Sequence, residues 1–252
     1  MQDVSVAGWV AGRLSGFGSG RVDSVVPAGF ASYARILHPV PGPDGQPTTW
    51  AAVCAAHGAT AHPLMQWNSI AGVVDGTDHG FTTRTMRWPG GPPEEGNLCA
   101  PALPALLTVL AAQTSGVDLC LFALWEGYGQ VWTGAWPRPA RFEPGHEPVP
   151  AAEVILAGPR LHHPSRDYLL FAGPLPAAAG IGHRWDPHWT QSPNLFWPAD
   201  QSWCVASEID FDSTLIGGTA ALVDAVLAEP ALEAWRVDPG DSLAHNADTI
   251  NT

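Results

Sequence analysis

Residues 193–218 read PNLFWPADQSWCVASEIDFDSTLIGG, and the run from Trp203 onward decides the fold class. Its odd positions are Trp203, Val205, Ser207, Ile209 and Phe211; its even ones are Cys204, Ala206, Glu208, Asp210 and Asp212. Side chains alternate across a strand, so the spacing predicts a strand over 203–211 with an apolar face turned to a core. The opposite face grows acidic towards its end. Beyond it, Gly217-Gly218-Thr219 reads as a turn that introduces a helix near 219–228, with Leu222, Val223, Val226 and Leu227 on one face before Pro230.

The flanking chain supplies the remaining elements. A helix is predicted near 48–57, with Thr48 as its cap, Trp50, Val53, Cys54 and His57 on one stripe and Gly58 as its stop. His57 on that stripe reads as a hydrogen-bonded boundary residue. A second helix near 102–115 carries Leu103, Leu106, Leu107 and Leu110, and Pro101 and Pro104 fit only in its first turn. The apolar run 119–125 and the segment DYLLFA (167–172) read as strands, and Gln130–Thr133 is expected to return beside the first as a hairpin. The stretch 25–40 suits helix and strand alike, and LEAWRVD (232–238) closes the chain as a short strand. Together these predict an α+β fold: a mainly antiparallel central sheet, helices packed against it, and long Pro/Gly/Trp-rich loops. Residues 1–252 are expected to form one domain, with the Pro-rich stretch 137–150 as the join if there are two lobes.

Composition narrows the function classes. The chain has 46% hydrophobic residues and 12 Trp, enough apolar surface to offset the entropy of ordering, so it is not a mainly disordered protein. Its formal charge is −13, and all 11 of its basic residues are Arg. That balance argues against phosphate-dominated nucleic-acid binding and against an anionic membrane surface, and it favours a cationic protein partner. No window approaches 18 uninterrupted apolar residues, and the first residues lack the form of a signal peptide, so a cytoplasmic location is expected. Cys54, Cys99, Cys120 and Cys204 are widely spaced in apolar surroundings and read as reduced, buried thiols, not a zinc framework.

Three groups of residues carry candidate chemistry. On the expected strand, Glu208, Asp210 and Asp212 stand roughly 6.6 Å apart on one face, a row that suits solvent, arginine or a cationic partner. His183, Asp186 and His188 in HRWDPH have the residue types of a zinc or iron site. Trp185, Trp189 and Trp197 sit in one long connection and form a candidate stacking surface for a ligand ring. Neither a P-loop nor GxGxxG is present at Gly217-Gly218-Thr219, and Ser213 and Thr214 lack a GxSxG context.

The segment SPNLFWPADQSWCVASEIDFDSTLIGG (192–218) and the ending NADTIN (246–251) resemble uncharacterised conserved actinobacterial proteins, a resemblance that covers most of the C-terminal half. In general character the chain is also similar to acidic SMI1/KNR4-like immunity and interaction modules, whose diagnostic motifs it does not carry. That similarity implies an α+β protein without catalytic chemistry. The residues therefore point first to a non-enzymatic, acidic protein-interaction module with Glu208, Asp210 and Asp212 as its partner-binding face and no cofactor. One alternative is a metal-dependent or small-molecule hydrolase that sets those acids beside His183 and His188, with a divalent metal. The other is a noncatalytic binder of small ligands on the Trp-rich loops.

Overall fold

Eight strands form one antiparallel sheet in the computed structural model, which describes residues 4–16, 18–78, 81–132, 158–163, 166–182 and 190–251. In chain order the strands are β1 (Ser32–Leu37), β2 (Val40–Pro41), β3 (Pro47–Thr48), β4 (Val74–Asp78), β5 (Phe81–Thr85), β6 (Cys120–Trp125), β7 (Arg160–His163), β8 (Arg166–Gly173), β9 (Leu195–Pro198), β10 (Cys204–Ala206), β11 (Ser213–Gly218) and β12 (Ala234–Val237). The helices are α1 (Gly8–Arg13), α2 (Trp50–His57), α3 (Trp67–Ile70), α4 (Ala102–Gln113) and α5 (Ala220–Ala228). The large sheet runs β12-β1-β11-β10-β9-β6-β8-β7, and β2-β3 and β4-β5 form separate two-stranded ribbons.

Both faces of the sheet are covered, which explains why CLFALW in β6 has no polar member. Phe122 and Leu124 face a core shared with Leu103, Leu106 and Leu110 of α4 and Leu222, Val223 and Val226 of α5. Leu121 and Ala123 point the other way, into a core completed by Ala7, Val10, Val22 and Val26 of the N-terminal segment. A third cluster lies beyond the end of β1, where Leu37 and Val40 meet Trp50, Val53 and Cys54 of α2 and Trp67 and Ile70 of α3. Each large side chain buried this way contributes about 1.5–3 kcal/mol. Helix ends follow local chemistry: the Thr49 hydroxyl accepts from Ala52 N at 3.1 Å and Thr219 from Leu222 N at 3.1 Å. The cap of α2 is thus Thr49, one residue beyond the expected Thr48.

Four local expectations are corrected. The strand expected over 203–211 ends at Ala206; the chain turns through 207–212 and returns as β11, with Val205 opposite Ile216 and Ala206 opposite Leu215. Asn194 and Arg166 compete for this stretch: Ser207 N donates to Asn194 O at 2.7 Å, and Arg166 draws Glu208 and Asp210 to one side. Ile209 is consequently half-buried in a turn, whereas Trp203 is fully buried as its position in the alternation requires. Second, Gly217-Gly218 finishes β11 and makes no turn. A Cβ at Gly217 would stand 2.5 Å from Phe30 Cδ2 and 2.8 Å from Tyr33 Cε1, so the aromatic pair lies directly on the strand. Third, Gly129–Trp132 forms a 3₁₀ turn in place of a returning hairpin, because the neighbours of β6 are β8 and β9. Fourth, Leu195–Pro198 lies in the stretch read as a loop, yet it is a central strand, with Phe196 opposite Phe122 and Val205.

Candidate functional site

The acidic turn between β10 and β11 is held from both sides by arginines. Arg166, at the start of β8, reaches Glu208 Oε1 and Asp210 Oδ2, each at 2.7 Å from Nη2, and its guanidinium lies over the Trp125 ring 5.5 Å from the centroid. Arg35, in the middle of β1 and only 1% exposed, donates to Asp212 Oδ1 at 3.3 Å, Ser213 Oγ at 2.9 Å, and the carbonyls of Met65 at 2.8 Å and Pro63 at 3.2 Å. Its guanidinium also covers the Trp50 ring at 5.5 Å. A charged residue inside an apolar strand, as in SYARIL, must be paired or fully hydrogen-bonded to be tolerated. Gly96 completes the clamp: its N–H donates to Phe211 O at 2.8 Å, and a Cβ there would stand 2.8 Å from Ile209 Cα.

The electrostatics of the three acids differ. Burial pushes the Glu208 carboxyl above its ordinary range, with Arg166 opposing the shift. Burial likewise raises Asp212 against the pull of Arg35. Asp210 keeps a side chain 71% exposed while it pairs with Arg166.

A hydrogen-bonded chain runs behind the turn. Burial lowers His38 to about 4, so its ring is neutral at pH 7. Nδ1 donates to Glu94 O at 2.6 Å, which leaves Nε2 to accept from Thr214 Oγ1 at 2.8 Å, and Thr214 in turn accepts from Ser207 Oγ at 2.7 Å. The order Ser–Thr–His has the direction of a nucleophile relay, but all three side chains are sealed in the core. A substrate has no approach to Ser207, and the chain acts as an internal brace.

In front of the turn lies a pocket of about 480 Å³. Trp67, Met86, Phe211 and the prolines Pro92 and Pro93 give it apolar walls; Glu95, Asp210 and Asp212 give it an acidic side, and Gln66, Asn68 and His245 complete its polar lining. The volume and the mixture of apolar wall with a few convergent polar groups are those of a ligand site. The C-terminal segment that supplies His245 is latched nearby by Asp248. That carboxylate accepts from His62 Nε2 at 2.9 Å, Ile250 N at 3.0 Å, Asn251 N at 2.9 Å, Asn251 Nδ2 at 3.0 Å and Gln66 N at 3.3 Å. The motif NADTIN is therefore a clasp on the loop that carries Gln66.

Of the residues singled out in the sequence, Asp210 and Asp212 meet in the pocket wall, while Glu208 turns aside to Arg166. Trp197 is buried in β9, edge-on to Trp9 with ring centroids 5.8 Å apart, out of reach of a ligand ring. His183, Trp185, Asp186, His188 and Trp189 lie outside the described residues. Among the described residues no group of three or more His, Cys, Asp and Glu side chains could hold a metal ion. Cys54, Cys120 and Cys204 are buried free thiols and Cys99 is partly buried; burial raises all four, Cys54 and Cys120 to about 11. No helix of the described residues is long and apolar enough to cross a membrane.

Arg35, Arg166, Gln66, Trp67 and Glu95 were missed by sequence reasoning. The signal for Arg35 was its place within a strand-like apolar run; nothing local marks the others. No family model, curated protein or solved structure matches this chain.

Proposed function

We propose that this protein is a non-enzymatic interaction module that docks a cationic protein partner on its acidic turn, with Asp210 as the leading contact. The observation that carries this reading is the setting of Asp210. Its side chain is 71% exposed at the mouth of an acidic pocket while its carboxylate shares Arg166 with Glu208, and Asp212 beyond it is held by Arg35. A pre-set acidic rim on a chain of charge −13 attracts cationic surfaces at long range and presents them with a rigid target. The Ser207–Thr214–His38 chain is closed to substrate, which favours binding over hydrolysis.

The test is affinity capture with the wild-type chain and with Asp210→Asn, followed by titration of the recovered partner against purified protein at several salt concentrations. The expected result is a basic partner whose affinity falls steeply with salt and at least about fivefold on Asp210→Asn. A partner that binds equally to both forms at low salt would remove the turn from the interface.

A further inference from the structure

Strand β12 lies at one edge of the large sheet, with β1 as its neighbour and no strand beyond it among the described residues. The hydrogen bond from Leu37 N to Glu233 O sets the phase of their pairing, so Glu233, Trp235 and Val237 turn their backbone groups towards β1. Ala234 and Arg236 then turn theirs outward. The far side of β1 agrees with this phase: His38 N donates to Asp212 O in register with the pairing of β1 and β11, so the even-numbered residues of β1 face β11. Among the described residues, the outward N–H and C=O groups of Ala234 and Arg236 have no hydrogen-bond partner. The free row stops at Asp238, whose N–H donates to Asp241 Oδ2 at 2.8 Å and whose C=O accepts from Asp241 N at 3.0 Å.

The same strand borders a groove of about 380 Å³. Val237, Pro63, Leu64 and Ile250 give it apolar walls, and Ile250 is 56% exposed there. Arg236 also borders it, although its guanidinium is turned to Asp224 and Ser32. Asp238 and Asp241 add carboxylates, and that of Asp238 has no ionic or hydrogen-bonded partner among the described residues. None of these residues lines the pocket beside the acidic turn.

We propose that β12 is a docking strand for an extended segment of a partner protein that carries a basic residue beside an apolar one. Free main-chain donors and acceptors on a sheet edge are matched by another main chain, which adds to the sheet as one more strand. On that strand, the side chain opposite Val237 lies on the same face as Val237 and enters the groove. The unpaired Asp238 carboxylate, on a chain of charge −13, sets the sign of the residue next to it. A second copy of this chain is disfavoured, because it brings the same negative charge to an edge that already bears Asp238 and Asp241. This surface stands apart from the acidic turn and does not depend on it.

The experiment uses the whole chain, ¹⁵N-labelled, and the blocked peptide acetyl-Lys-Val-Thr-Val-Thr-amide. Laid antiparallel to β12, the peptide sets its threonines opposite Arg236 and Ala234 and its valines opposite Val237 and Trp235. Binding is expected to shift the amide resonances of Ala234 and Arg236. N-methylation of both threonines removes the donors that face β12 and should weaken binding at least about tenfold. N-methylation of both valines, whose N–H groups point away, should change it by less than about twofold. Exchanging the lysine for glutamate should weaken binding severalfold, a preference lost in Asp238→Asn, with thermal unfolding confirming that the variant folds. No binding at millimolar peptide, or an equal loss from the two N-methylated peptides, overturns the proposal. So does a chain that sediments as a dimer and becomes monomeric in Arg236→Pro, which assigns the edge to a second copy.

Discussion

Asp212 and Asp248 are both carboxylates drawn out of water, and the fold moves them in opposite directions. Burial raises each of them. For Asp248 the rise is overturned by hydrogen bonds from Asn251 N and Nδ2, from Ile250 N and from His62, and the group is held down to about 2. For Asp212 a full positive charge stands nearby, yet Arg35 touches it only at 3.3 Å and spends its other donors on Ser213, Pro63 and Met65, so the net shift stays upward. The number and closeness of donors on a carboxylate thus count for more than the formal charge of a single neighbour. Asp248 is the more firmly ionised of the two, although no arginine is among the partners of its carboxylate.

The largest effect is expected at the arginine on the Asp212 side. Arg35→Ala leaves Asp212 unpaired and strips partners from Ser213 and from the carbonyls of Met65 and Pro63, and it should cost about 3–5 kcal/mol by urea denaturation. Pairing Arg35→Met with Asp212→Asn should recover much of that loss, because no charge is then left uncompensated. If the single variant lost less than about 1 kcal/mol, the pair would be well solvated and the contrast with Asp248 would have no basis in burial.

Next in size is the pH dependence. The folded value of Asp248, about 2, lies below its ordinary 3.8, so it contributes about 2 kcal/mol of stability above pH 4. That contribution is lost as the pH falls from 4 through 2. Asp212 behaves in the opposite sense: with its folded value raised, ionising it costs stability at neutral pH, and the cost eases as the pH falls from that value towards 3.8. Measured against pH, wild type should therefore lose stability relative to Asp248→Asn on acidification and gain it relative to Asp212→Asn. Parallel curves for the two variants would show that both carboxylates are shifted the same way.

The difference between these aspartates also marks how far the sequence was legible. Helices α2, α4 and α5 and strands β6, β8 and β12 follow from local period and capping chemistry, and their positions were readable to within a few residues. Strand β9 was not, because LFWP between loop-like residues becomes a strand only through pairing with β6, more than 70 residues earlier in the chain. The acidic residues of the candidate site were visible, but what they do is set by partners far away in sequence: Arg35 lies 177 residues from Asp212 and Arg166 lies 44 from Asp210. Alternation at 203–212 was a true pattern that the fold used only as far as Ala206. Past that point, ion pairs with Arg166 and Arg35 and the hydrogen bond to Gly96 decided the path, and none of these has a local sequence signal.

The smallest effect is expected at Asp210, the most exposed carboxylate of the row, with a side chain 71% exposed. Its pairing with Arg166 shares one guanidinium nitrogen with Glu208, whose side chain is only 13% exposed. A solvent-exposed pair of this kind is worth about 0–1 kcal/mol and weakens with salt, so Asp210→Asn should shift stability by less than about 0.5 kcal/mol. Glu208→Gln should cost more, because it leaves Arg166 beside a neutral group in a partly closed site, and the gap between the two variants should persist in high salt. Thermal unfolding of both at low and high salt separates the cases. A loss above about 1.5 kcal/mol for Asp210→Asn would mean that its carboxylate fixes the turn, and a carboxylate committed to the fold is not one that a partner's cation can claim.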